Sequence, residues 1–386
     1  MTTWLPTVAG WAYFLLVTLL VLVALFRRRE PGSALGWSLA LVFLPGLGIL
    51  LFLLFGTRRL PRRLRRKREH HEAFRGRATQ PVSQEHAPEG QPEPRWRDVT
   101  AMLERLEDAP RRGGNATKLY AEGLVAFLEM AQAIEAARHH VHVEFYIFRN
   151  DELGRRLTDL LVEKCEQGVE VRVLVDGVGS AGNRRILNRI RRAGGRAARF
   201  LRVWPFGKRV TPNLRNHRKM VICDGRIAFF GGLNVGVEYL GRYGEQGEWF
   251  DLHMRVEGPA VWDLQRIFVE DWDFCAGETL EGTAYFPPPE TVGDQALQIL
   301  SGGPDQAVNP IRQAFFAAFV RARTQILLCT PYLVPDASLR DALKTAARSG
   351  TEVRIVLPKL GDERSKDIIR EFSRLNPQDQ IRDNLS

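Results

Sequence analysis

Asn216 to Asn234 reads N-H-R-K-M-V-I-C-D-G-R-I-A-F-F-G-G-L-N. Two apolar runs, Met220 to Cys223 and Ile227 to Phe230, flank Asp224-Gly225, a dipeptide suited to a tight hairpin turn, so the stretch predicts two adjacent antiparallel strands. Within it His217, Lys219 and Asp224 are spaced H-x-K-x4-D. Alternation along a strand puts His217 and Lys219 on one face, about 6.5 to 7 Å apart. An imidazole can act as nucleophile or proton carrier near neutral pH, and an ammonium can neutralise the non-bridging oxygens of a phosphodiester. Gly232 lets a backbone come close, Asn234 offers an amide donor to a phosphate, and Asn216 joins them as a candidate substrate contact. Two readings of Asp224 stand side by side: a carboxylate that orients an imidazole, and plain turn chemistry.

Outward from this hairpin the chain repeats one pattern. Val141 to Phe148 reads as a strand, Leu153 to Glu166 as a helix and Val169 to Val175 as a strand. Ile326 to Cys329, Ser338 to Arg348 and Glu352 to Leu357 repeat that order. Each unit predicts a parallel strand pair joined by a helical crossover. Two units predict an α/β protein of two repeated halves that meet face to face. Four cysteines without a C-x-x-C pair argue against a structural zinc site or a disulfide framework, and a reducing compartment fits them. The net charge of +10 calls for an anionic partner, either nucleic acid or anionic lipid.

The N-terminus chooses lipid. Residues 8–26 and 34–55 carry no charge, and each run is long enough to cross a bilayer core of about 30 Å as a helix. A basic run from Arg58 to Arg68 follows, outweighing the three arginines between the two runs. The positive-inside rule then predicts a multi-pass membrane protein with its N-terminus and everything after Phe55 in the cytoplasm. The basic run is placed either to meet anionic headgroups or to set topology alone. Residues 69–97, broken by Pro81, Pro88, Pro92 and Pro94, read as a flexible tether. The expected organisation is a two-helix hairpin in 1–57, a tether in 58–98, a first half in 99–283 and an incomplete second half in 284–386.

The stretch around His217 resembles the first catalytic motif of bacterial cardiolipin synthases, a branch of the phospholipase D superfamily. Other segments resemble the same family in order. They are P-G-L-G-I-L-L-F-L-L-F-G from Pro45, E-F-Y-I-F-R-N-D-E-L-G from Glu144, V-R-V-L-V-D-G-V-G-S from Val171, W-F-D from Trp249, E-G-P-A-V from Glu257 and T-P-Y-L-V-P from Thr330. The resemblance implies a phospholipase D-like mixed-sheet sandwich in which each half gives one H-x-K motif to a shared site. It implies a covalent phosphohistidine, no metal and no cofactor, and transfer of a phosphatidyl group between two phosphatidylglycerol molecules with release of glycerol. By the same resemblance His217, Lys219 and Asp224 take the first-motif roles and Asn234 becomes a phosphate ligand. The partners expected are anionic phospholipid and a bacterial inner membrane, with no nucleic acid. Leu201 to Arg209, with Trp204 and Phe206 among cations, reads as a membrane-facing loop at the mouth of the site or as a solvated loop.

One family feature is missing. The two units are offset by 182 residues at Gly168 and Gly350, which puts a partner histidine near position 399, and no histidine follows His253. The chain therefore reads as cut short. Three activities remain open: a transferase in which two copies each supply His217, an inactive or regulatory lipid-binding homologue, and a membrane-tethered dimeric nuclease.

Overall fold

The computed structural model describes residues 5–27, 31–44, 46–52, 67, 69, 73, 94–107, 109–201, 215–240, 251–303, 306 and 309–357. The chain divides into two compact units, Met1–Arg65 and Arg66–Ser386.

In the first unit α1 (Leu5–Arg27) precedes α2 (Pro31–Phe43) and α3 (Leu47–Leu51). The apolar run 34–55 is therefore not one helix. Pro45 lacks an N–H to continue α2, and Gly46 takes a left-handed φ of 79°. Gly48 then lies so close to α2 that a Cβ there would sit 2.2 Å from the Ala40 carbonyl oxygen. With 13 residues, α2 rises about 20 Å, short of a bilayer core. No helix among the described residues, which in α1 take in side chains from Gly10 to Phe26, is long and apolar enough to cross a membrane. The expected two-span hairpin is corrected accordingly. Ala24, Leu41 and Phe52 form the small buried centre of this unit, while Trp11, Phe14, Phe26, Leu35 and Phe43 are exposed.

The second unit is built on a mixed eight-stranded sheet. Its elements are α4 (Arg97–Glu107), β1 (Arg111–Tyr120), α5 (Gly123–Ala136), β2 (His140–Phe145), α6 (Glu152–Glu166), β3 (Glu170–Asp176), α7 (Arg184–Arg192), β4 (Arg196–Phe200), β5 (Lys219–Cys223), β6 (Ile227–Gly231), β7 (His253–Glu257), α8 (Val261–Ala276) and β8 (Gln295–Gln298). The strand order is β4-β3-β2-β5-β6-β7-β1-β8. Pairing is parallel across β4, β3 and β2 and antiparallel from there to β8. The crossover β2-α6-β3 and the hairpin β5–β6 both form as expected, the latter turning at Asp224 (φ 53°) and Gly225 (φ 63°).

Alternation along β2 separates two cores. Val141, Val143 and Phe145 join the cluster under α5, α6 and α7. His140, His142 and Glu144 face the other way, toward α8, which buries Phe268, Val269 and Trp272 on the second face of the sheet. His142 stacks on Phe268 at 4.4 Å and reaches Gln265 at 3.1 Å through Nδ1, while its Nε2 is buried without a partner among the described residues.

Beyond β8 come α9 (Pro310–Arg321), β9 (Gln325–Cys329), α10 (Ala337–Arg348) and β10 (Glu352–Val356). β9 and β10 pair in parallel, as expected, but form a separate two-stranded sheet. β8 pairs with β1, so the boundary expected at 283/284 cuts off a strand of the larger sheet. A short turn at Pro94–Trp96 precedes α4, inside the stretch 58–98 expected as a tether. Most of the tether, the loop 202–209 and the polar stretch 366–386 lie outside the described residues.

Candidate active site

Lys219 opens β5, Gly231 closes β6 and His253 opens β7, so all three meet at one end of the sheet. Phe145 pairs with Lys219, and Gly231 pairs with His253. His217, two residues before the first position of β5, is exposed, whereas Lys219 is buried. The Lys219 Nζ lies 2.9 Å from His217 Nδ1 and donates to the His217 carbonyl oxygen at 2.7 Å. Tyr146 covers the pair: its ring is 4.6 Å from the His217 ring and 5.5 Å from the Lys219 ammonium. Gly179 makes room for that tyrosine, since a Cβ there would meet the ring at 2.7 Å.

Partial desolvation of the ring beside Tyr146, then the charge of Lys219, lowers the His217 pKa below its ordinary 6.5, so the neutral imidazole predominates at pH 7. Burial alone brings Lys219 down from 10.5 to about 8, against the opposing field of Asp251. Asp251 reaches the site because position 232 is glycine: a Cβ there would sit 1.8 Å from its Oδ1. Behind Gly231 lies His253, fully buried with both ring nitrogens unpaired, and burial followed by the Lys219 charge takes it to about 4.

The segment carrying His217 is anchored from the opposite face of the sheet. The Asn216 backbone N–H donates to Asp176 at 3.1 Å, and its side-chain amide donates to Glu144 and, at 3.1 Å, to Asp271. Arg218 bonds the same Asp271 carboxylate. Burial would raise Asp271, but Arg218 and Lys67 more than offset it and hold the group at about 2. Glu144 goes the other way, pushed well above its usual range by burial and then by Asp271, so it carries the proton of the pair.

Sequence-predicted residues thus separate into groups. His217 and Lys219 come together. Asn216 points into the anchoring network, with its amide on Glu144 and Asp271. Asn234 is buried, accepting from the Ile147 N–H at 3.0 Å and donating to the Tyr239 hydroxyl at 2.7 Å, so it braces the Tyr146 segment. Gly232 serves the approach of Asp251.

Asp224 is corrected outright as an orienter of the imidazole. It lies five positions beyond Lys219 at the other end of β5, about 16 Å along the strand. Its carboxylate accepts from the backbone N–H groups of Arg138, His139 and His140. Tyr146, Asp176, Asp251 and Asp271 were missed as site residues, whereas Glu144 and His253 are the sequence's candidates for a second acid in a one-motif monomer, and both are buried. Asp176 and Asp251 stood inside quoted family segments, V-D-G-V-G-S and W-F-D, and that was their only signal.

The family described as "Cardiolipin synthase, PLD-like domain" matches residues 130–272, and "Phospholipase_D-nuclease N-terminal" matches residues 14–56. Cardiolipin synthase 1 of Bacillus anthracis is 36% identical over 378 residues, covering 93% of this chain and 72% of that protein. Cardiolipin synthase of Geobacillus thermodenitrificans is 37% identical over 355 residues, covering 90% and 70%. Among solved structures, phosphatidylserine synthase of Haemophilus influenzae superposes with a TM-score of 0.50 at 16% identity, over 67% of this chain and 66% of that one, which is a likeness of fold.

Proposed function

The chain belongs to the cardiolipin synthase family with its phospholipase D-like domain, and we propose that it moves a phosphatidyl group from one phosphatidylglycerol to another through a phosphohistidine on His217. The observation that carries this is the contact between an exposed, neutral imidazole and a buried lysine, 2.9 Å apart, in a chain so similar to those synthases. His217 attacks phosphorus, its N–P bond forms as the P–O bond to glycerol breaks, and the glycerol oxygen takes a proton from a general acid. The hydroxyl of a second phosphatidylglycerol then attacks the phosphohistidine, giving up its proton to the same group.

Lys219 stabilises the charge that gathers on the non-bridging oxygens. With Lys219 donating to Nδ1, the neutral ring keeps its proton on Nε2. When the ammonium turns to a bound phosphate, Nδ1 takes the proton, which the fields of Asp176 and then Asp251 favour. Nε2 is then free to attack. The general acid is the imidazole of a second H-x-K motif, supplied by a second phospholipase D-like half or by a second copy of the chain. The exposed apolar side chains of α1 and α2 support association with a bacterial membrane, where the lipid substrate resides.

The test uses the purified full chain with phosphatidylglycerol labelled in the phosphate. Expected are acid-labile label on His217, cardiolipin, and free glycerol in equal amount, all absent from His217→Ala. Label on a different residue, or cardiolipin formed by His217→Ala, refutes the reading.

A further inference from the structure

Lys67 belongs to the basic run at 58–68, where a cation is ordinarily hydrated, yet it is 2% exposed. Its Nζ lies 2.9 Å from Asp271 Oδ1 and 5.2 Å from the ring of Phe200, the last residue of β4. The other oxygen of the same carboxylate holds Asn216 and Arg218, the two residues that flank His217 in sequence. We propose that Lys67 is a positioning residue of the active site, which acts through Asp271 to hold the His217 segment and ties the chain's basic arm to it.

The physical reasoning runs through one carboxylate. Asp271 is almost fully enclosed on α8, and a buried anion holds its place only while cations and donors surround it. Arg218 serves it from the His217 segment and Lys67 from the arm, on opposite oxygens. Glu144 competes for the same donors, because its Oε1 shares the Asn216 amide with Asp271. With Lys67 present, Asp271 is the ionised member and Glu144 the protonated one. Removing the ammonium takes away one of two cations, so the proton redistributes between the two acids and the Asn216 amide has two competing acceptors. The nucleophile's own backbone then loses its single arrangement. A lysine that merely packed against Phe200 would produce none of this, and arginine would not replace it better than methionine does.

The inference rests on His217 as the reacting group, and the experiment separates it from the phosphatidyl-transfer reading. Full-length wild type, Lys67→Met and Lys67→Arg are purified in detergent and compared by hydrogen exchange in a peptide covering 216–222. Peptides from β9 and β10 serve as the internal control. Lys67→Met is expected to speed exchange at 216–222 by about tenfold while leaving the control unchanged. Lys67→Arg restores protection to within about twofold of wild type. In phosphatidylglycerol vesicles the same Met variant is expected to lose about tenfold in kcat with KM unchanged, because Lys67 does not touch substrate. Wild-type protection at 216–222 in Lys67→Met overturns the inference, as does a failure of Arg to rescue. Loss of protection in a chain that makes no cardiolipin supports the inference and fails only the proposed reaction. If Lys67→Met does not accumulate folded, Lys67→Met with Asp271→Asn removes both buried charges at once. Faster exchange at 216–222 is again expected, and wild-type protection there overturns the inference.

Discussion

Replacing Asp224 by alanine should cost stability and spare chemistry. The carboxylate accepts three backbone N–H groups, from Arg138 at 2.8 Å, His139 at 2.8 Å and His140 at 2.9 Å, and so clamps the start of β2 to the β5–β6 turn. Bonds of this kind to a charged acceptor contribute about 1.5–3 kcal/mol each when buried. Here water reaches Arg138 and His139, so those two are worth less, and a total near 2 kcal/mol is reasonable. Asp224 also holds φ at 53°, where alanine is disfavoured by about 1 kcal/mol. Together these predict a loss of about 3 kcal/mol, a drop in Tm on the order of 5–10 °C for a unit of this size. Asp224→Asn keeps the turn and one acceptor, and should lose about a third as much. The assay is thermal unfolding beside phosphatidyl transfer, both on full-length chain, with turnover measured well below the lower Tm. Per folded molecule, kcat for Asp224→Ala should stay within about twofold of wild type. A loss of 10² or more in kcat without a loss of stability would restore the orienting role and refute the structural one.

His217→Ala should abolish turnover, and chelators should leave the wild-type rate unchanged, because Lys219 supplies the positive charge on the phosphate; a rate that falls with EDTA and returns with a divalent cation would refute this. Lys219 must be protonated to act, so kcat/KM should fall as pH rises through about 8. Lys219→Arg should be slower by about 10 to 10² and lack that alkaline limb, since a guanidinium keeps its proton; a limb unmoved in the arginine variant would assign it elsewhere. Gly232→Ala should push Asp251 aside and lower kcat by about 10² with a smaller effect on Tm, and equal kcat would remove Asp251 from the mechanism. His140 and His253 are each held near 4, below the unfolded value of 6.5, so the unfolded chain binds more protons between those limits. Stability should be full above pH 6.5 and fall as pH drops toward 4, by about 3 kcal/mol per histidine; a melting temperature flat across that range would show these histidines to be solvated.

Much of the larger sheet can be read from local pattern. β5 and β6 announce themselves by apolar runs about Asp224-Gly225, and β2-α6-β3 by period and by Gly168. β1 does not: Arg111 to Tyr120 has neither alternation nor an apolar run, and it becomes a strand because β7 and β8 pair with it on both edges. The site divides in the same way. His217 and Lys219 are neighbours in sequence, and period two suffices to bring them together. Asp251 beside Lys219 and Asp271 behind the His217 segment reach their places only through the sheet register and the placement of α8, which no local spacing encodes. Asp224 misleads for a related reason: H-x-K-x4-D looks like a cluster on paper, but a strand is extended, and five residues carry the aspartate to the far end. Lys67 misleads by composition, since nothing in the sequence of a basic run marks a cation that is buried.

The site's affinity for an anion is contained in how its cations are paired. Arg218 and Lys67 are matched by Asp271, Arg112 by Asp263, and Arg172 by Glu170 and Glu278. Lys219 differs: it is as buried as these, yet its hydrogen bonds go to a neutral imidazole and a carbonyl. Burial takes Lys219 from 10.5 to about 8 against the charge of Asp251, so the ammonium sits where negative charge is short. A phosphodiester that arrives with one negative charge removes that shortage, and a transition state with more charge on its oxygens removes more. Gly231 pairs with His253 beside Lys219, and burial followed by the Lys219 charge keeps that histidine neutral. Asp251 approaches from the other flank, across Gly232, where it acts on both His217 and Lys219. Gly232 thus gives room to one carboxylate, and the lysine stands beside a nucleophile that its own field helps to keep neutral.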